Sequence, residues 1–201
     1  MAANVRDAVT LRPAMTADMA PIAKFHAWYV ENTVITFRKD AVEPSELLEG
    51  YQKILDQQLP YIVAVPAQGT VEEQEPIGFC YASGFRSVKA GYFQTAELSL
   101  FCHPEHRGRG IGTMLLQRML AILKEPEKFP EYAGPKGPRT KEERVRQFIA
   151  CMSVDVDAKK KGLALKEYYE SFGFEQRGHL REVGFKFGRW IDTIYLQLTL
   201  W

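Results

Sequence analysis

Apolar residues at Ile22, Phe25, Tyr29 and Val30 recur at helical spacing, and Thr16 stands where the N-cap of that helix is expected. The period breaks over 31–38. It returns from Pro44 to about Gln58, where Leu47, Leu48, Tyr51, Ile54 and Leu55 make one face and Pro44 suits a first helical turn. Other stretches are short runs of β-favouring residues between turn formers, at 8–12 (stopped by Pro13), 61–65, 77–83 and 96–102, and read as strands. A polar hairpin over 68–76 joins the second of these to the third. Residues 110–123 are helical again, with Met114, Leu115, Met119 and Ile122 turned inward. A strand at 148–154 and a short helix at 162–171, stopped by Gly173, come next; strands at 174–183 and 191–200 close the chain. The order β-α-α-β-β-β-α-β-α-β-β predicts a mixed α/β fold, a largely antiparallel central sheet flanked by helices. It forms one domain over 1–201, with no internal repeat.

The segment 124–144 departs from these patterns. Pro126, Pro130, Pro135 and Pro138, with Gly134, Gly137 and charges of both signs, predict an exposed insertion rather than a basic arm.

Composition narrows the partners. Hydrophobic residues make up 46% of the 201 and charged residues 25%, enough for one sizeable core. A net charge of +1 leaves no overall field for nucleic acid or an anionic membrane, so an anion must be caught locally. No apolar run approaches the roughly 18 residues that span a bilayer, and residues 1–6 carry no apolar signal region. Cys80, Cys102 and Cys151 form no CxxC pair and sit in apolar strand-like runs, as small buried hydrophobes do. These features predict a cytoplasmic protein. His26, His103, His106 and His179 show no metal-ligand spacing and read as surface histidines, so no metal is expected.

The sharpest chemistry lies in Arg107, Gly108, Arg109, Gly110, Ile111, Gly112 and Thr113, which follow a strand and open a helix. Three glycines in five residues let the backbone turn tightly and bring N–H groups against a ligand. The helix that begins there adds unbonded N–H groups and the positive end of its dipole. Together they predict a diphosphate site, with Arg107 and Arg109 at its rim. A plain chain reversal is the alternative. The string is no P-loop, lacking the Gly-Lys-Ser/Thr ending, and no dinucleotide fingerprint, because it falls mid-chain after the fourth strand.

Arg107, Gly110 and Gly112 match Arg-x-x-Gly-x-Gly, and the chain here resembles the GNAT superfamily of N-acetyltransferases. The resemblance covers nearly the whole chain and narrows to the phosphinothricin N-acetyltransferase group through four segments, 29–38, 78–84, 97–102 and 180–192. The last is the most specific, with Gly184, Lys186, Gly188, Trp190 and Asp192 in fixed order. The insertion at 124–144 has no counterpart in compact members of the group.

That resemblance implies acetyl-CoA as co-substrate and a small amino-acid-like amine, of the phosphinothricin or methionine sulfoximine or sulfone type, as acceptor. It implies that the backbone of Leu100, Phe101 and Cys102 pairs with the pantetheine arm and that Glu97 is the base, through water; a surface-facing strand residue or the partner of a neighbouring arginine is the alternative for Glu97. It places Tyr169, four residues before Gly173, as the acid for the departing thiolate; a core tyrosine is the alternative. The Asn the group carries seven residues earlier is Gly162 here, which removes one side-chain contact to pantetheine. Arg86, Lys89 and Tyr92 match the substrate loop, and Phe37 would wall the pocket. The run Lys159, Lys160, Lys161 is a solvated loop or a contact to the CoA 3′-phosphate. The group also implies a homodimer, for which Phe185, Phe187, Trp190, Tyr195 and Trp201 supply an apolar patch.

Two other functions fit the same cradle. A protein or polyamine N-acetyltransferase would share the donor site, but a polyamine pocket would be acidic, against Arg86 and Lys89. A non-catalytic acyl-CoA sensor would have no use for both Glu97 and Tyr169.

Overall fold

Seven strands form one sheet in the order β1-β2-β3-β4-β5-β7-β6 in the computed structural model, which describes residues 8–70 and 74–201. Three of the strands are β1 (Val9–Pro13), β2 (Tyr61–Pro66) and β3 (Gly78–Gly84), and β4 (Thr95–Cys102) completes an antiparallel run with them. Strand β5 (Gln147–Val154) lies parallel to β4 and antiparallel to β7 (Arg189–Thr199), which pairs in turn with the edge strand β6 (Glu175–Lys186). The predicted mixed, largely antiparallel sheet is the one observed. Of the predicted hairpin at 68–76, residues 71–73 lie outside the described part, as does the segment 1–6.

Helices α1 (Met19–Asn32) and α2 (Pro44–Asp56) cover one face, and α3 (Ile111–Lys124) and α4 (Ala164–Glu170) the other. The α1 stripe is buried as its spacing predicts, with Ile22, Phe25, Tyr29 and Val30 all in the core. Its start differs from the prediction. Thr16 does not cap α1; a 3-10 turn over Thr16–Asp18 comes first. There the Asp18 carboxylate accepts the Met15 N–H at 2.7 Å and both Arg12 guanidinium nitrogens at 2.7 and 2.8 Å. A carboxylate that answers a half-buried arginine and a backbone N–H together anchors the turn better than a threonine hydroxyl does. In α2, Tyr51 and Ile54 are buried, whereas Leu48 is exposed at the edge of its predicted face.

The segment 124–144, predicted as exposed, is anchored at two buried side chains. Tyr132 and Arg139 are each 4% exposed. Arg139 donates from Nε and Nη2 to the Gln57 carbonyl at 3.2 and 2.9 Å, and from Nη1 to the Phe93 carbonyl at 2.7 Å. Its guanidinium also lies 4.0 Å from the Phe93 ring centre. Burial pulls its pKa down to about 10, so the side chain stays charged at neutral pH. Thus one arginine ties the segment to the end of α2 and to the β3–β4 connection. Arg139→Met is expected to remove the partner of the Gln57 and Phe93 carbonyls and cost about 1–3 kcal/mol of stability. Thermal unfolding checks this; an unchanged Tm would mean the segment is held elsewhere.

Candidate active site

Strand β4 pairs with β3 from Ala96/Gly84 to Cys102/Gly78, but with β5 only from Thr95/Gln147 to Leu98/Ala150. Past that point β4 and β5 part. Along this edge the backbone of 99–102 has no ladder partner on β5 among the described residues, which leaves polar groups free for an extended ligand. A cavity of about 280 Å³ opens at the split.

Alternation along β4 sends neighbouring side chains to opposite sides of the sheet. Phe101 meets His26 and Tyr29 of α1, ring centres 5.0 and 5.2 Å apart. Leu100 and Cys102 instead lie under the start of α3, 3.4 and 3.6 Å from where a Cβ on Gly112 would stand. Glu97 shares the Phe101 face and Tyr169 comes from α4 on the other, yet both line the cavity. The gap therefore runs through the sheet, with one proton-exchanging group on each side.

Glu97 is half-buried, and no hydrogen bond or ion pair reaches its carboxylate among the described residues. Desolvation raises its pKa above the ordinary carboxylate value, which moves it toward the range of a useful base. Tyr169 is buried, and burial pushes its phenol up, so it is protonated throughout the neutral range. Beside it is Tyr168, which the sequence reading passed over. Its Oη is enclosed, 3.7 Å from the Cβ position of Gly112, and burial pushes it up to about 12 against the lowering effect of the Thr113 hydroxyl.

The glycine turn stands at the end of the split. Gly108 and Gly110 have φ of +74° and +81°, and Gly110 is the residue before α3. Among the described residues, chain neighbours aside, nothing lies within 4 Å of a Cβ built on either. These are positions where an L side chain is strained and where a ligand has open access to the backbone. Below the turn, burial pushes the Cys102 thiol up to about 11 against the opposing effect of the Gly112 N–H. The Tyr29 hydroxyl donates to the Cys102 carbonyl at 2.6 Å, fixing the end of β4 to α1. Arg107 bonds from Nε to the Pro104 carbonyl at 3.1 Å, its guanidinium 4.9 Å from the Trp28 ring centre. Arg109 donates to the Glu105 carbonyl at 3.2 Å. Both arginines are exposed beside the turn. Ile111 is buried as the first residue of α3, and Thr113 is half-buried in its first turn.

Other expected residues lie away from the cavity. Arg86, Lys89 and Tyr92 are exposed on the β3–β4 connection and do not line it. Phe37 packs its ring against Gly184 of β6, leaving no room for a Cβ there, and Lys186 donates to the Thr36 carbonyl at 2.8 Å. The 184–192 string thus docks β6 on the α1–α2 loop. Phe187 and Gly188, at φ +50° and +74°, make its tight turn. Asp192 accepts the Glu182 N–H at 2.9 Å and bonds His179 at 2.7 Å.

Gly162 is required by its neighbour. It has φ of +82°, and a Cβ would come within 2.6 Å of both the Asp155 nitrogen and oxygen, so an Asn has no room. In the adjacent lysine run, Lys160 pairs with Glu167.

Two histidine and cysteine expectations are corrected. His26 is no surface residue: it is 8% exposed and lines the cavity from α1. It belongs to the stripe of Ile22, Phe25, Tyr29 and Val30, and that i, i+4 position was the available signal. Cys151 is exposed and lines the cavity too, whereas Cys80 is the buried hydrophobe expected. Arg38, one residue past Phe37, is a lining residue that sequence reasoning missed.

A gap of this kind, with a glycine turn at its end, suits a long acyl-CoA thioester, and an acyl-CoA transferase is the class of protein the fold and site define. The chain belongs to the GNAT family of that class, the family model for an acetyltransferase (GNAT) domain matching residues 67–176. It is 30% identical over 195 residues to a phosphinothricin N-acetyltransferase of Alcaligenes faecalis, covering 97% of this chain and 84% of the relative. An L-methionine sulfoximine/L-methionine sulfone acetyltransferase of Salmonella typhimurium is 27% identical over 96% of this chain and 95% of its own. The fold also matches a phosphinothricin acetyltransferase from Sinorhizobium meliloti solved with acetyl-CoA, at a TM-score of 0.74 and 29% identity, over 96% of this chain and 88% of that one.

Proposed function

We propose that the chain transfers the acetyl group of acetyl-CoA directly to the amine of a small amino-acid-like acceptor of the phosphinothricin or methionine sulfoximine type. The observation that carries this reading is the cavity at the β4–β5 split, with Glu97 on one side of the sheet and Tyr169 on the other. Acetyl-CoA supplies the activated acyl group. The turn from Gly108 to Gly112 and the first N–H groups of α3 hold its diphosphate, and the free edge of Leu100, Phe101 and Cys102 orients the pantetheine arm. A backbone N–H on that edge polarises the thioester carbonyl. Glu97 takes the proton from the acceptor ammonium, through water, and Tyr169 gives one to the CoA sulfur. The names of the two curated relatives support the substrate class. Arg38 in the cavity wall disfavours a polyamine.

The test is release of free CoA over a panel of amino acids, methionine sulfoximine, spermidine and short peptides. Turnover on amino-acid-like amines is expected; turnover on spermidine or peptides alone would overturn the reading. Acetyl-CoA is a cytoplasmic metabolite, and we place the activity there.

We further propose a homodimer through the β6–β7 hairpin. Phe185, Phe187 and Trp190 are 47%, 56% and 61% exposed there, joined by Leu180 and Val183. Of the remaining aromatic residues expected in that patch, Tyr195 is half-buried and Trp201 donates to the Val145 carbonyl at 3.0 Å, so neither extends it. Sedimentation at micromolar concentration should give twice the chain mass, and Trp190→Lys should give a monomer. A monomeric wild-type protein would reject the dimer.

A further inference from the structure

We propose that His26 and Arg38 together hold the acceptor's carboxylate, with His26 donating from Nε2 and Arg38 supplying the charge. This rests on the amino-acid reading above. An amino-acid acceptor brings a carboxylate into the cavity along with its amine, and a carboxylate taken out of water needs charged or N–H donors. Arg86 and Lys89 do not line the cavity, whereas Arg38 does and is the one Arg or Lys that does so among the described residues. It bonds Glu46 through Nη2 at 2.5 Å, which leaves its other N–H donors available.

His26 supplies the second donor. Among the described residues its Nδ1 is enclosed with no partner, and no hydrogen bond reaches its Nε2. A buried imidazole without any hydrogen bond is rare in a folded protein and calls for a ligand. An edge contact with Phe101 and a tilted one with Phe79 at 6.5 Å hold the ring between α1 and the sheet, where it lines the cavity, and with Nδ1 enclosed Nε2 is the nitrogen left for the acceptor. Burial, Arg38 and Lys186 all lower its pKa, which keeps the imidazole neutral. The proposed donation uses the neutral tautomer that carries its proton on Nε2.

Arg38, His26 and Glu97 line the same cavity, with Tyr81 in its wall beside them. An acceptor whose carboxylate rests on His26 and Arg38 therefore has its amine in the cavity that Glu97 also lines.

The experiment compares an amino acid accepted by the wild-type protein with its neutral carboxamide, in His26→Phe, His26→Gln and Arg38→Gln. For the free acid, His26→Phe and Arg38→Gln should each raise KM about tenfold or more while kcat stays within about twofold. KM for the carboxamide should move less than about twofold. His26→Gln, which keeps a donor near the Nε2 position, should retain most of the wild-type KM. Acetyl-CoA affinity serves as the folding control. Equal shifts for acid and carboxamide, or a His26→Gln protein as impaired as His26→Phe, would overturn the subsite. A wild-type protein that binds acetyl-CoA but acetylates no amino acid would overturn the substrate reading instead.

Discussion

Glu97→Gln is expected to bind acetyl-CoA as the wild-type protein does and to lose roughly 10²–10⁴-fold in kcat. The carboxylate stands half-buried and unpaired in the cavity wall, where an ionised group is costly unless chemistry needs it. Wild-type kcat/KM should fall as pH drops through the raised pKa of Glu97, because only the ionised form takes a proton. In the variant that acid limb should vanish, and the deficit should shrink at high pH as the acceptor ammonium loses its proton to solvent unaided. A rise in KM at constant kcat would assign Glu97 to holding the acceptor rather than deprotonating it. Unchanged kcat and KM would leave it a structural residue.

Stability should move the opposite way. A carboxyl whose folded pKa lies above its unfolded value binds protons more readily when folded. Its contribution is present below the unfolded pKa, near 4.5, and is lost as pH rises through the raised folded value. At neutral pH ionised Glu97 therefore weakens the fold, and Glu97→Gln should raise Tm there. A protein made more stable and far less active by one exchange of oxygen for nitrogen would separate a catalytic role from a packing one.

The parts of this fold that were legible in the sequence are those whose cause is local. The β4–turn–α3 unit follows from a β-favouring run, glycines that must take positive φ, and a helical stripe, all within about thirty residues. The same holds for α1 and the strands. What escaped depends on residues distant in the chain. Gly184 is small because Phe37 lies on it, 147 positions away, and no periodicity registers that. Arg139 sits in a stretch whose prolines and charges look solvated, yet it answers the Gln57 and Phe93 carbonyls. His26 was discounted for its residue type although its spacing placed it inward. The site was likewise half legible. Its donor end is written in backbone geometry, which glycine reveals, whereas its acceptor end is assembled from α1, the α1–α2 loop and β4.

That difference gives the donor end a decisive test. Gly110→Val is expected to abolish measurable acetyl-CoA binding while the fold survives. At φ of +81° a β-branched residue is strained by about 1–3 kcal/mol, which a chain with a single seven-stranded sheet should withstand. Beyond its chain neighbours, nothing among the described residues lies within 4 Å of the added Cβ, so the core is not disturbed. The space it would enter is the one through which a diphosphate reaches the backbone N–H groups ahead of α3. Relaxation of the strain would also turn those groups away from the ligand. The loss should therefore fall on affinity: calorimetry should show no binding at concentrations that saturate the wild-type protein, with circular dichroism unchanged and Tm lowered by several degrees. A Gly110→Val protein with wild-type affinity would mean that the turn only reverses the chain and that the diphosphate is held elsewhere.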